Sequence, residues 1–289
     1  MGGGTAFSRD RRRRFEEVRH MSDVIQTEWP RPGILLIRMN RPEALNAMNA
    51  ELIEALHGVL AEVRHNSEVR AIVVTGNGRA FCAGLDLRGY GAPPGAAEGE
   101  GRAQAGLRVQ QHIAGLVEAF RGVRAPVIAA INGAAAGGGM ALALMADIRI
   151  IATDAALHAS FINRGLSNCD IGVSWLLPRM IGFARAAQIL LTGRSVAAEE
   201  AERIGLVSST EPSDRLLDTA LDTAEAIAGN SPFGVWMTKE VMWSNLEAPS
   251  LHAAIDLENR TQILAATTRD HREAVHAFLD KRVPIYRNQ

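Results

Sequence analysis

The strongest constraint on the fold of this 289-residue chain is a series of short apolar runs that alternate with helical stripes. Strands are predicted at residues 33–40, 70–75, 127–131 and 148–152. Apolar residues at helical spacing predict helices at 50–64, 103–120 and 138–146. Strands that are apolar throughout and separated by helices are typical of parallel sheets in α/β proteins. We therefore predict a repeated β/α architecture up to about residue 152.

The pattern changes from alternating elements to helices near residue 184. Helices are predicted at 184–191, 197–204, 213–228, 232–245, 251–267 and 270–281. We place a soft boundary near residue 210, with a core at 21–210 and a C-terminal helical region at 211–289. Residues 1–20 carry six arginines and no apolar run. They are interpreted as a disordered basic leader, with a targeting or nucleic-acid-binding tail as the alternative.

Charge and composition exclude several classes of protein. The chain has 31 Lys and Arg against 32 Asp and Glu, so no general nucleic-acid footprint is present. Residues 125–146 carry no formal charge, but Pro126, Asn132 and several glycines break them into a strand, a turn and a helix, so no membrane span is predicted. Two cysteines without a secretory signal indicate free thiols and a cytoplasmic location.

Two glycine-rich turns follow predicted strands and carry the chemical signal. The first is Phe81–Leu87, with the sequence FCAGLDL, and the second is residues 132–139, NGAAAGGG, which open a helix. A helix N-terminus presents unpaired N–H groups, and glycine lets a ligand approach the backbone. Two such turns side by side could direct two N–H groups at one carbonyl oxygen. The alternative is close packing of helix on strand. No phosphate-binding or metal motif is found, so no metal is expected.

These turns resemble the two signature segments of the crotonase, or enoyl-CoA hydratase/isomerase, superfamily. The match covers residues 81–87 and 131–147 (INGAAAGGGMALALMAD). It continues in RPEALNAM at 41–48, LLTGRSVAAEEAERIGLV at 190–207 and AFLDKRVP at 277–284. The resemblance spans most of the chain, and the ordered set of motifs is highly specific.

The resemblance implies an α/β fold of repeated ββα units wound into a spiral, with a C-terminal helical region that builds a homotrimer, often paired into a hexamer. It implies an acyl-CoA substrate whose carbonyl oxygen accepts from the N–H groups of Leu85 and Gly138. The backbone of Cys82 and Ala83 would lie near the adenine, and Lys281 near the phosphates. Coenzyme A enters as part of the substrate, and no separate cofactor is implied.

The sequence departs from the family pattern where the hydratases carry two catalytic glutamates. One glutamate position holds Ala141 and the other holds Phe161. Neither side chain can transfer a proton, which hydration requires. Both are expected to line the acyl site.

One acid remains near this region. Asp170 falls where isomerases and dehalogenases of the family carry an active-site aspartate. It could act as a base that moves a proton, as a nucleophile, or as the N-cap of a helix predicted at 171–180. Asp86 and Asp147 are interpreted as structural. His112 could face the acyl tunnel or only the helix surface.

Three functions therefore stay open at the level of sequence. The first is an acyl-CoA enzyme of the hydratase/isomerase class that uses Leu85, Gly138 and Asp170. The second is a non-catalytic acyl-CoA binding protein. The third is a hydrolase or dehalogenase with Asp170 as nucleophile.

Overall fold

The computed structural model of the protein describes residues 23–289. The predicted basic leader at 1–20 lies outside the described residues. The larger of two sheets has the strand order β1-β2-β3-β5-β7-β10, and only the β1/β2 pair is antiparallel. Its strands are β1 Ile25–Arg31, β2 Ile34–Met39, β3 Ala71–Gly76, β5 Val127–Ile131, β7 Ile148–Ala152 and β10 Ser209–Glu211.

The smaller sheet has the order β4-β6-β8-β9. It consists of short strands: β4 Ala80–Cys82, β6 Ala134–Ala136, β8 Ala156–His158 and β9 Ser195–Ala197. The first three run parallel to one another, and β9 is antiparallel to β8. The residues of β4 were predicted as an irregular loop because glycine and alanine surround them. That prediction is wrong: Ala80 and Cys82 pair with β6.

The helices agree with the sequence pattern to within a few residues at their ends. They are α1 Ala50–Val63, α2 Arg102–Gly122, α3 Gly138–Met145, α4 Val173–Ile181, α5 Phe183–Thr192, α6 Ala198–Arg203, α7 Leu216–Ala228, α8 Pro232–Asn245, α9 Leu251–Ala266 and α10 Arg269–Leu279. Helix α1 starts where the Asn49 side chain accepts a hydrogen bond from the Leu52 N–H at 3.0 Å.

One unit repeats along the chain: a strand of the large sheet, a short link, a strand of the small sheet and then a helix. The units are β3-β4-α2, β5-β6-α3 and β7-β8-α4. Consecutive units pair in parallel, for example Ile72 with Val127 and Ile128 with Ile148. This is the predicted crotonase-like spiral of ββα units. The domain boundary near residue 210 stays a prediction.

The uncharged segment 125–146 divides into β5, β6 and α3. The predicted strand and helix are confirmed, whereas the predicted turn between them contains the strand β6. All eight residues of α3 are buried, so this helix lies inside the core. Within residues 23–289, no helix is both long and apolar enough to cross a membrane.

A buried ion pair joins α8 to the large sheet where β5 and β7 begin. The Lys239 ammonium lies 2.9 Å from Asp147 and donates to the carbonyl oxygens of Ala125 and Phe120 at 3.0 and 3.4 Å. Asp147 also accepts from the Val127 N–H at 2.7 Å and from the Trp243 indole at 2.6 Å. The structural interpretation of Asp147 is therefore confirmed.

We expect Lys239→Met to destabilise the fold by about 3–5 kcal/mol, because the substitution leaves the buried Asp147 carboxylate without its counter-charge. Urea unfolding measures the change. Lys281→Met, which alters an exposed lysine, is the matched control and should stay within about 0.5 kcal/mol of the parent. Equal stability of Lys239→Met and the parent would contradict the role of the ion pair.

Candidate functional site

The two glycine-rich turns lie side by side because the strands before them are neighbours. Strands β4 and β6 run parallel, with Ala80 opposite Ala134 and Cys82 opposite Ala135. Their carboxyl ends therefore lie at the same edge of the small sheet. The first turn continues from β4 through Ala83 to Leu87, and the second continues from β6 through Gly137 into α3.

The turns approach so closely that two glycines have no room for a side chain, and a third glycine has a positive φ. A Cβ at Gly84 would lie 2.6 Å from the Ala136 carbonyl oxygen and 3.4 Å from the Gly138 nitrogen. A Cβ at Gly139 would lie 1.9 Å from the Cys82 carbonyl oxygen. Gly137 has φ +52°, and its N–H donates to the His158 carbonyl at 2.8 Å. Backbone contact between the two turns is thus an obligatory feature of the site.

Two backbone donors are left available at this contact. Gly138 is the first residue of α3, so its N–H has no acceptor within the helix. Leu85 is held on both sides, since the Met48 N–H donates to the Gly84 oxygen at 2.7 Å and the Asp86 N–H donates to the Met48 oxygen at 2.9 Å. Across residues 23–289, neither the Leu85 N–H nor the Gly138 N–H donates to a protein acceptor. Two such donors, one at a helix N-terminus, can stabilise an oxygen that gains negative charge.

Asp86 fixes the first turn with charged partners that the sequence reasoning missed. Its buried carboxylate lies 3.0 Å from Arg41 and 3.1 Å from Arg88, and it also accepts from the Arg88 N–H at 3.1 Å. Hydrogen bonds from the Arg88 side chain, with those from its backbone and from Arg41, hold the pKa of Asp86 well below its usual range. Asp86 therefore stays ionised and structural, as predicted. The Arg88 side chain is 70% exposed beside the turn.

Two residues predicted to line the acyl site, Ala141 and Phe161, place apolar groups close to the turns. Ala141 is fully buried in α3, and its N–H donates to the Gly137 oxygen at 3.0 Å. The half-buried Phe161 ring approaches within 3.3 Å of where a Cβ of Gly137 would stand. These side chains offer contact surface and no proton.

Asp170 lies next to a residue that contacts the second turn. The Ile171 Cδ1 atom is 3.6 Å from the position of a Cβ on Gly138. Asp170 is half-buried, and its carboxylate accepts a hydrogen bond from the Gln110 amide of α2. Nothing in the sequence pointed to Gln110, because contacts between distant segments leave no local pattern.

The alternative interpretation of Asp170 as a helix cap is wrong. Helix α4 begins at Val173, and its N-cap residue is Gly172, without a side-chain cap. Ile171 and Gly172 both have positive φ, +46° and +77°, so neither can belong to the helix predicted from residue 171. The Asp170 carboxylate is therefore not used in capping.

The two cysteines and the other residues predicted to bind coenzyme A differ in how far they are exposed. Cys82 is fully buried, and burial raises the pKa of its thiol to about 12, so it remains protonated. Cys169 is exposed, and both cysteines are free, as predicted. Ala83 is half-buried and donates to the Leu45 oxygen at 2.9 Å. Lys281 is exposed in the turn after α10, and its role stays a prediction.

Comparison with known proteins identifies relatives of this chain. The family model for enoyl-CoA hydratase/isomerase matches residues 31–289. A probable enoyl-CoA hydratase echA12 of Mycobacterium leprae is 42% identical over 92% of this chain and 91% of its own length. The 1,2-epoxyphenylacetyl-CoA isomerase of Escherichia coli is 37% identical over 88% of this chain and 95% of its own. The crystal structure of a probable enoyl-CoA hydratase/isomerase from Mycobacterium abscessus has a TM-score of 0.87 at 39% identity, covering 93% of this chain and 100% of that one.

We expect Gly139→Ala to prevent folding or to cost at least about 3 kcal/mol, because the new Cβ meets backbone that cannot withdraw. Gly106→Ala is the matched control: Gly106 lies in α2 with no atom near its would-be Cβ. That substitution should stabilise the protein by about 0.5–1 kcal/mol. Thermal unfolding measures both variants, and a well-folded Gly139→Ala protein would refute the close approach of the turns.

Proposed function

The chain belongs to the enoyl-CoA hydratase/isomerase family, and we propose that it binds an acyl-CoA thioester with the carbonyl oxygen between the N–H groups of Leu85 and Gly138. It is an enzyme of the hydratase/isomerase class. The observation that carries the proposal is the pair of backbone donors left unpaired where Gly84 meets Gly138. A substrate carbonyl supplies the acceptor that these donors lack within the chain.

The two donors act on the charge that develops during the reaction. Removing a proton from a carbon next to the thioester turns the carbonyl into an enolate, whose oxygen carries negative charge. Fixed N–H groups and the positive end of α3 stabilise that oxygen more than the neutral carbonyl. Such an oxyanion hole lowers the barrier to any step that passes through the enolate.

Asp170 is the group that we assign to proton transfer. Ala141 and Phe161 cannot take or give a proton, whereas Asp170 carries a carboxylate and directly precedes Ile171, whose side chain lies beside the second turn. The Gln110 amide holds this carboxylate in place. We expect Asp170 to accept a proton as a carboxylate and to return it as a carboxylic acid.

One carboxylate is sufficient for isomerisation of an enoyl thioester. The group removes a proton from one carbon, the enolate forms, and the same group returns the proton to another carbon. Hydration also requires a positioned water molecule and its activation, for which the family uses two glutamates. The replacement of both glutamates therefore favours isomerase-type chemistry.

The coenzyme A part of the substrate would lie along the first turn. We propose that the backbone of Cys82 and Ala83 faces the adenine. Arg88, exposed on the same turn, is a second candidate beside Lys281 to meet the phosphates.

The C-terminal helices support the proposal of a homotrimer or hexamer. No residue of α9 is buried in the single chain. Helices α9 and α10 expose large apolar side chains, as expected for a surface that another copy covers; among them are Leu251, Ile263, Leu264, Phe278 and Leu279. A cytoplasmic location likewise remains our proposal.

Gly138→Pro should lower kcat/KM by about 10²–10³-fold, because proline at the first position of α3 keeps the helix but removes the donor. Gly138→Ala is the control: it retains the N–H and adds a Cβ that meets the same Met48 side chain. The assay follows conversion of a 3-enoyl-CoA to the conjugated 2-enoyl-CoA by absorbance. Equal activity of the two variants would overturn the role of the Gly138 N–H.

Asp170→Asn should reduce kcat by at least about 10²-fold while acyl-CoA binding, measured by calorimetry, stays within a few-fold of the parent. Asp218→Asn, an exposed change on α7, should leave both unchanged. Undiminished turnover in Asp170→Asn would disprove the proton-transfer role. Tight acyl-CoA binding without turnover of any enoyl-CoA by the parent protein would instead support a binding protein.

A further inference from the structure

Three side chains outside the proposed acyl site form a line of hydrogen bonds between α1 and α2. The Tyr90 hydroxyl lies 2.8 Å from His112 Nδ1, and His112 Nε2 lies 3.0 Å from the Glu54 carboxylate. His112 is the histidine that the sequence left open between the acyl tunnel and the helix surface. Its side chain is only 11% exposed.

A neutral His112 ring fits this line in one tautomer. A carboxylate only accepts, so the ring then carries its proton on Nε2 and accepts on Nδ1 from the Tyr90 O–H. Burial and then the charge of Glu54 raise the pKa of Tyr90 to about 12, so the hydroxyl keeps its proton at neutral pH. His57 stacks on His112 with ring centroids 5.3 Å apart, and its Nε2 lies 2.9 Å from the His112 carbonyl oxygen. The histidine is therefore fixed from three sides.

The backbone of Tyr90 belongs to the same series of anchors that holds Leu85. Met48 binds the Gly84 oxygen and the Asp86 N–H, one on each side of Leu85. Two residues after Met48 and four residues after Asp86, the Ala50 N–H donates to the Tyr90 oxygen at 2.7 Å. Residues 84–90 are therefore attached to residues 48–50 at both ends, and Tyr90 is the last anchor of this stretch.

The chain after Tyr90 has few other attachments. Residues 91–101 contain no helix or strand. Gly89 and Gly99 each have open space where a Cβ would stand. The next strong contact is the ion pair of Glu100 with Arg108 at the start of α2. Tyr90 is thus the point at which an irregular segment is fastened to the ordered turn.

We propose that Tyr90 is a positioning residue for the Leu85 N–H, and that His112 and Glu54 keep Tyr90 in place. The proposal rests on the proposed function of Leu85 as an oxyanion donor. Tyr90 acts through the backbone of its own turn, and no proton passes from it to substrate. The line of hydrogen bonds supplies rigidity. An oxyanion hole needs this rigidity because its donors must be fixed before charge develops.

A double-mutant cycle tests the hydrogen bond between Tyr90 and His112. Tyr90→Phe and His112→Leu each remove the same hydrogen bond, so each should lower kcat about three- to tenfold with KM nearly unchanged. The double variant should be no worse than the more affected single variant, because the bond can be lost only once. His112→Asn, whose amide oxygen can replace the Nδ1 acceptor, should restore most of the activity. Tyr286→Phe and His252→Asn are matched controls that should change nothing.

Hydrogen exchange without ligand separates this proposal from the proposed function. The Asp86 amide, which donates to Met48, should exchange about three- to tenfold faster in Tyr90→Phe and in His112→Leu than in the parent. Faster exchange in a protein that turns over no enoyl-CoA would support the anchor and count against the proposed function.

Two results would overturn the proposal. In the first, Tyr90→Phe and His112→Leu each lower kcat, and the two fold-losses multiply in the double variant. This would show that the side chains act independently. A loss of kcat beyond about 10³-fold in Tyr90→Phe, with unchanged exchange of the Asp86 amide, would make Tyr90 a proton-transfer group.

Discussion

The site depends on the contact between two backbone turns that no side chain separates. Gly84 lies against Ala136 and Gly138, and Gly139 lies against the Cys82 carbonyl. Parallel pairing of β4 with β6 brings the turns to one edge of the small sheet. Because the contact is made by backbone, it places two N–H groups beside each other with little freedom to move. This rigidity is what electrostatic stabilisation of an oxyanion requires.

Other carboxylates of the chain are mostly used for structure. Asp147 holds β5 and α8 together through Val127, Lys239 and Trp243. Asp86 is neutralised by two arginines. Asp170 differs, since its partner is a neutral amide and it caps no helix. A carboxylate without a cationic partner is better suited to exchange a proton than one held in an ion pair.

The sequence predicted the elements better than the contacts between them. Strands β5 and β7 and helix α8 begin and end at the predicted residues, because apolar runs and proline at residue 232 mark them clearly. The three-residue strands β4 and β6 were missed, since such short segments carry no periodicity. The helix near Asp170 was misplaced by two residues because left-handed Ile171 is unusual for a branched side chain.

Long-range contacts at the site left no trace in the sequence. Gln110 with Asp170, and Tyr90 with His112 and Glu54, join segments that are 22 to 60 residues apart. The glycine turns were found because their chemistry is local: N–H groups and the absence of a Cβ are properties of the turn itself. The roles of Leu85, Gly138 and Asp170 rest on the resemblance to a family as well as on this geometry.

The central claim is that the two N–H groups and one carboxylate form an enolate from a thioester without adding water. Exchange of the α-hydrogens of a saturated short-chain acyl-CoA in D₂O tests this directly, with mass spectrometry as the readout. We predict enzyme-dependent uptake of deuterium at the α-carbon, since enolate formation and return of a solvent-exchanged proton need no double bond. A bound acyl-CoA that gains no deuterium would contradict enolate formation by these groups.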